Sequence, residues 1–262
     1  MSGKLLIVGD SFSDRYIEKY RWNPFHRNVI WSEEVNNTKI SNYWFDSLSK
    51  KLNLKLLNLS HCGCGNKQIF DNTFDAITNE KDISLAVVMW TEFNRLDIEA
   101  DKVEGARYIN YHPQWGEYER ETSSIISPGS RNFMYKEWIK IHTHYDLHNE
   151  MRGVDNFLRY SHSLNLLAKE RNIRLIQCFG CIPSWSNETI KYFIDCELTH
   201  KLDENNYVGY PFFEKIGGFS MEERFSSDDV LSKDDNHPNQ NGNNLIFNEL
   251  LDFTLDKYKK IV

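Results

Sequence analysis

A serine hydroxyl becomes a nucleophile at neutral pH only when a base takes its proton. This chain carries the two parts at its opposite ends. Near the start stands Gly9-Asp10-Ser11-Phe12-Ser13, and near the end Asp234-Asp235-Asn236-His237-Pro238-Asn239. Only an imidazole has an ordinary pKa near 6.5, so His237 is the natural base for Ser11. A carboxylate three residues earlier can turn back and hold the Nδ1–H, leaving Nε2 for the serine. Asp234 has that spacing, whereas Asp235 and Asn236 lie closer and are expected to reach the ring less easily. Such pairing raises an imidazole pKa, so activity should fall at or above about pH 6.5 on acidification.

Two further loops could serve a developing oxyanion. In Asn58-Leu59-Ser60-His61-Cys62-Gly63-Cys64-Gly65-Asn66, Gly63 can bring its backbone N–H against a substrate oxygen without side-chain obstruction. In Trp90-Thr91-Glu92-Phe93-Asn94-Arg95, the Asn94 amide is a donor of the right kind. An ionised Glu92 can only accept, so it should turn away from the oxyanion or bind Arg95. Each motif alone has a plainer reading: a turn for Gly-Asp-Ser, and a solvated helix-capping loop around His237. For the Gly63 segment the other reading is a phosphate-cradling loop, for which a lone Gly-x-Gly is poor evidence, and for the Asn94 segment it is an ordinary strand exit.

These loops need a frame. Four short apolar runs, 5–8, 54–59, 85–90 and 173–178, read as buried parallel strands. Helical periodicity separates or follows them over 41–52, with Ser41 as N-cap, and over 67–78, 157–171 and 244–258. Alternating strand and helix predicts an α/β domain with a parallel sheet, whose ligands gather at the carboxyl ends of its strands. All four loops fall at such ends or before the last helix. Residues 97–133 and 184–233 are rich in aromatics and lack a clear period, and they read as insertions folded onto a single domain over 1–262.

Composition excludes several classes. The net charge is -7 with scattered Lys and Arg, which leaves no footprint for nucleic acid. No apolar run approaches the roughly 18 residues of a membrane span, and the start of the chain lacks a signal-peptide pattern. A cytoplasmic protein or a mature product is expected. Five cysteines do not make a complete disulfide framework. Cys62, Cys64, Cys178 and Cys181 could hold zinc, as could His142, His144 and His148, but buried thiols and surface histidines are the commoner use. No metal and no cofactor is expected. Tyr111, Trp115, Tyr118, Trp138 and Trp185 could line a carbohydrate platform, although core packing is the commoner use of such residues.

The order Gly9-Asp10-Ser11, Gly63, Asn94, Asp234-x-x-His237 resembles the four motif blocks of the SGNH/GDSL hydrolases. His237-Pro238-Asn239-x-x-Gly242 leading into the last helix sharpens the likeness. The third block of that family reads Gly-x-Asn-Asp; here its Gly is absent and the Asn is displaced to Asn94. The resemblance covers residues 4–95, about 155–182 and 234–258. It implies a three-layer α/β/α sandwich with a flavodoxin-like parallel sheet. It further implies Ser11 as nucleophile, His237 as base, Asp234 as orienting acid, and Ser11, Gly63 and Asn94 as the oxyanion hole. The implied activity is O-acyl ester hydrolysis through an acyl-enzyme, on a small ester or an acylated carbohydrate. An O-acyltransferase with the same residues and a non-catalytic binding protein on the same scaffold are the alternatives.

Overall fold

The computed structural model describes residues 3–15, 38–103, 106–111, 150–183, 185–209, 220–233 and 235–258. Its centre is a parallel sheet of four strands: β1 (Lys4–Gly9), β2 (Lys55–Asn58), β3 (Ile83–Trp90) and β6 (Arg174–Phe179), in the order β2-β1-β3-β6. Alternate residues of each strand face opposite sides. Leu6, Val8, Ala86, Val88 and Leu175 therefore enter one core, and Leu5, Ile7, Leu85, Val87 and Ile176 the other.

Helices cover both faces. On the first lie α2 (Asn66–Asn79), through Ile69, Ala76 and Ile77, and α3 (Glu150–Glu170), through Val154, Phe157, Leu158, Leu164 and Ala168. On the second lie α1 (Trp44–Leu52), through Trp44, Phe45 and Leu48, and α5 (Gln240–Tyr258), through Ile246 and Leu250. Each fully buried Leu, Ile or Phe contributes about 1.5–3 kcal/mol by leaving water, so these two cores hold the layers together. This is an α/β sandwich about a parallel sheet. The strand order reverses direction between β1 and β3, and ligands of such sheets bind outside the carboxyl ends at that point.

A two-stranded hairpin, β4 (Leu96–Val103) with β5 (Ala106–Tyr111), opens the segment expected as the first insertion; Trp115, Tyr118 and His142–His148 lie outside the described residues. The second such segment contains α4 (Asn187–Asp195), which sequence periodicity did not reveal. Ser186 caps it in a reciprocal box with Thr189. Beyond it the chain runs along the outer edge of β6, with Val208 N–H donating to the Gln177 carbonyl and Met221 N–H to that of Phe179, which shields the edge from other strands. A short antiparallel pair, β7 (Val230–Ser232) and β8 (Asp235–Pro238), then leads into α5.

Three helix starts differ from expectation. Ser41 is not the cap of α1: Gln240 Oε1 accepts from the Ser41 and Asn42 amides, and Asn243 Oδ1 from that of Trp44. The helix is thereby started by side chains of α5. Helix α3 already runs from Glu150, ahead of the expected 157, and Gly153 within it allows close contact: a Cβ there would lie 2.2 Å from the Phe93 carbonyl oxygen. Helix α5 begins at Gln240, where Asn239 Oδ1 accepts from the Asn241 and Gly242 amides. Among the described residues no helix is long and apolar enough to cross a membrane.

Candidate active site

Strand β1 ends at Gly9, and the chain turns at once. The Asp10 carboxylate accepts from the Phe12 amide at 3.0 Å, and its carbonyl from the Ser13 amide at 3.0 Å. Trp44 Nε1 donates to the Phe12 carbonyl and the Asn58 amide to that of Ser13, so the loop is fixed from both sides. Ser11 is 6% exposed at the carboxyl end of the sheet.

His237 meets it from β8. Its Nε2 stands 2.7 Å from Ser11 Oγ, and its Nδ1 2.5 Å from Asp235 Oδ1. The same Asp235 oxygen also accepts the His237 backbone N–H at 3.0 Å. The Phe12 ring packs against the imidazole, with centroids 5.4 Å apart, and stacks on Phe225 on its other side. Burial alone would raise the Asp235 carboxyl, but the His237 ring and amide outweigh it and hold it below the usual value.

The carboxylate on the imidazole is thus that of Asp235, where the sequence reading had placed Asp234. Alternation explains it: residues two apart on a strand share a face, so Asp235 and His237 point the same way from β8. Asp234 itself lies outside the described residues.

Gly63 sits in the loop after β2 with φ of 80°, a left-handed conformation that glycine adopts without strain. The loop is tied to the serine loop by His61 N–H on the Gly9 carbonyl, Cys64 Sγ on the same oxygen, and Cys62 N–H on Asp14 Oδ2. The Cys62 thiol is pushed up to about 12, chiefly by burial, with the Asp10 carboxylate adding to the rise. It therefore remains a neutral neighbour at pH 7. Among the described residues, neither the Ser11 nor the Gly63 backbone N–H has a protein acceptor. Both N–H groups are thus open to an acceptor from solvent or a ligand.

The exit of β3 meets the expectation for Glu92 and adds a role for Arg95. Glu92 binds Arg95, with Nε to Oε2 at 2.8 Å. Asn94 is half-buried, and its side-chain oxygen has no partner among the described residues; no described contact joins it to Ser11, Gly63 or His237. Arg95 is the residue that crosses to the other loops. Its Nη1 lies 3.5 Å from Asp10 Oδ2 and 3.5 Å from the Cys64 carbonyl, and its Nη2 3.7 Å from Cys181 Sγ. Burial opposes its charge, but the carboxylates of Asp10 and Glu92 beside it favour it, so the guanidinium stays charged. Asn66 pins the same exit: its amide donates to the Thr91 carbonyl and its oxygen accepts the Thr91 N–H.

The cysteines serve as donors. Cys181 Sγ donates to Asp10 Oδ2 at 2.9 Å and Cys64 Sγ to the Gly9 carbonyl at 3.3 Å, and burial pushes both thiols up. Among the described residues no cluster of three or more His, Cys, Asp or Glu could hold a metal. Beside the serine lies a cavity of about 10 Å3, room for about one water, lined among others by Phe12, Ile40, Tyr43, Leu231 and Pro238.

No family model matches the chain, and no curated protein does. One match among solved structures is a protein assigned to the G-D-S-L family of lipolytic proteins from Desulfitobacterium hafniense DCB-2. It is 13% identical, with a TM-score of 0.42, over 96% of this chain and 99% of that one. At that distance neither site residues nor activity carry over from it.

Proposed function

We propose that the chain is a serine-dependent O-acyl ester hydrolase. The observation that carries the reading is the unbroken line from Asp235 Oδ1 through both ring nitrogens of His237 to Ser11 Oγ, at 2.5 and 2.7 Å. Ser11 Oγ attacks the ester carbonyl as His237 Nε2 takes its proton. Asp235 holds the ring and stabilises the imidazolium. The backbone N–H groups of Ser11 and Gly63 receive the oxyanion, joined by the Asn94 amide. The Asn94 side chain carries the NH2 donor that an oxyanion needs.

The imidazolium then gives its proton to the departing alcohol, leaving an acyl-serine. Water repeats the sequence and frees the acid. Among the described residues, the small cavity beside Ser11 leaves no room for a long acyl group. A carbohydrate as the alcohol remains the sequence-level expectation, since most of 97–133 lies outside the described residues. The aligned relay favours catalysis over a purely binding role, because a binding scaffold has no use for it. Assay of the wild type and Ser11→Ala on acetyl, butyryl and octanoyl esters tests the proposal. Hydrolysis that disappears in the variant supports it, and equal activity in both would overturn it.

A further inference from the structure

Three loops converge on the serine, yet few backbone bonds join the exit of β3 to the other two. The cation that does so is Arg95, whose side chain is 8% exposed. We infer that Arg95 is a positioning residue that locks the loops carrying Ser11 and Gly63 to each other and to the exit of β3. This rests on the hydrolase reading above.

The guanidinium is held at three points. Glu92 fixes the near end of the guanidinium through Nε at 2.8 Å. Nη1 then stands between Asp10 Oδ2 and the Cys64 carbonyl, 3.5 Å from each. Asp10 is the residue before Ser11, and Cys64 the residue after Gly63. One charge therefore sits between the side chain that precedes Ser11 and the carbonyl of the residue that follows Gly63. The Asp10 carboxylate is fully buried and also accepts from Thr91 Oγ1 and Cys181 Sγ, both at 2.9 Å. At 3.5 Å the guanidinium contacts act through charge more than through short hydrogen bonds, and burial strengthens such contacts. The planar fork suits this task, since it can face two acceptors while Nε keeps a third. Arg95 reaches no reacting atom; its effect on the reaction runs through Ser11 and Gly63.

A misplacement of about 1 Å at a reacting group can cost about a hundredfold in rate. Arg95→Met, close in length and uncharged, should thus lower kcat by about a hundredfold while KM changes less than about threefold. The rate at which an organophosphonate labels Ser11 should fall in parallel, with circular dichroism showing a retained fold. A folded Arg95→Met with kcat within about threefold of wild type overturns the inference. Should that variant not fold, Arg95→Lys decides, because an ammonium keeps the charge but not the fork. A kcat between wild type and inactive at unchanged KM supports the inference, and a wild-type kcat overturns it. A wild type that neither hydrolyses esters nor takes the label would instead remove the hydrolase reading, and this inference with it.

Discussion

Asp235 and His237 stand two residues apart on one short strand, and that spacing alone brings a carboxylate oxygen to 2.5 Å from Nδ1 of the imidazole. The bond selects the ring tautomer that leaves Nε2 to accept from Ser11. Replacing the carboxylate with an amide keeps the shape and disturbs the tautomer. Asp235→Asn should therefore lower kcat by roughly 10³–10⁴-fold, while Asp234→Asn stays within a few-fold of wild type. Steady-state kinetics of the two variants would return the role to Asp234 if the losses were reversed.

The same pairing has a signature in stability. The folded Asp235 carboxyl titrates below its ordinary value of 3.8. A group lowered on folding contributes stability that is fully present above its unfolded pKa and is lost as pH falls through the folded one. The stability difference between wild type and Asp235→Asn should change as pH falls below about pH 4, where the carboxyl is protonated. Urea unfolding across pH 3–7 measures it. A difference that stays constant down to pH 3 would mean that the carboxylate is not stabilised by the ring.

Asn94 tests the third oxyanion donor. Removal of one donor from such a site costs roughly 10²–10³ in kcat. Asn94→Ala should lower kcat by about a hundredfold with little change in KM. A near-normal kcat would leave the work to the Ser11 and Gly63 amides.

The cavity beside Ser11 sets an expectation for the acyl chain. Ile40 and Leu231 help close it. In such pockets one methylene is worth about 10–200-fold in discrimination. Ile40→Ala should raise kcat/KM for butyryl relative to acetyl esters by about tenfold. An unchanged ratio would place the acyl group elsewhere in the cleft.

Helix α2 is capped from a distance. Asp97 accepts from the Gly65 amide at 2.6 Å and the Gln68 amide at 2.8 Å, which a local cap would otherwise do. Asp97→Ala should destabilise the protein by about 1–2 kcal/mol in urea unfolding. An unchanged midpoint would show that other groups or water serve those amides equally well.

The frame of the fold was legible because buried parallel strands are short apolar runs. The four found from the sequence all lie in the central sheet, with ends shifted by a residue or two. Ser11 and His237 could be paired because few side chains can serve as a base at neutral pH. The partner carboxylate was harder, since the reach of an Asp depends on whether its segment turns or extends, and β8 extends. Helix α4 was hidden because only Thr189 and Phe193 of its nine residues are buried, too narrow a stripe to set a period. Gly153 and Gly242 lie within α3 and α5, ahead of the expected starts, where each allows a close contact that a Cβ would block. Arg95 could not be placed, because its link to Asp10 spans 85 positions and leaves no local trace.

Covalent labelling of Ser11 measures the central claim most directly. Purified protein treated with a fluorophosphonate at pH 7.5 should gain one phosphonyl group, which peptide mass spectrometry assigns to Ser11. Labelling should vanish in Ser11→Ala and slow by at least about a hundredfold in His237→Ala. A mass unchanged after prolonged exposure, or a label on Ser11 at the same rate without His237, would contradict the account.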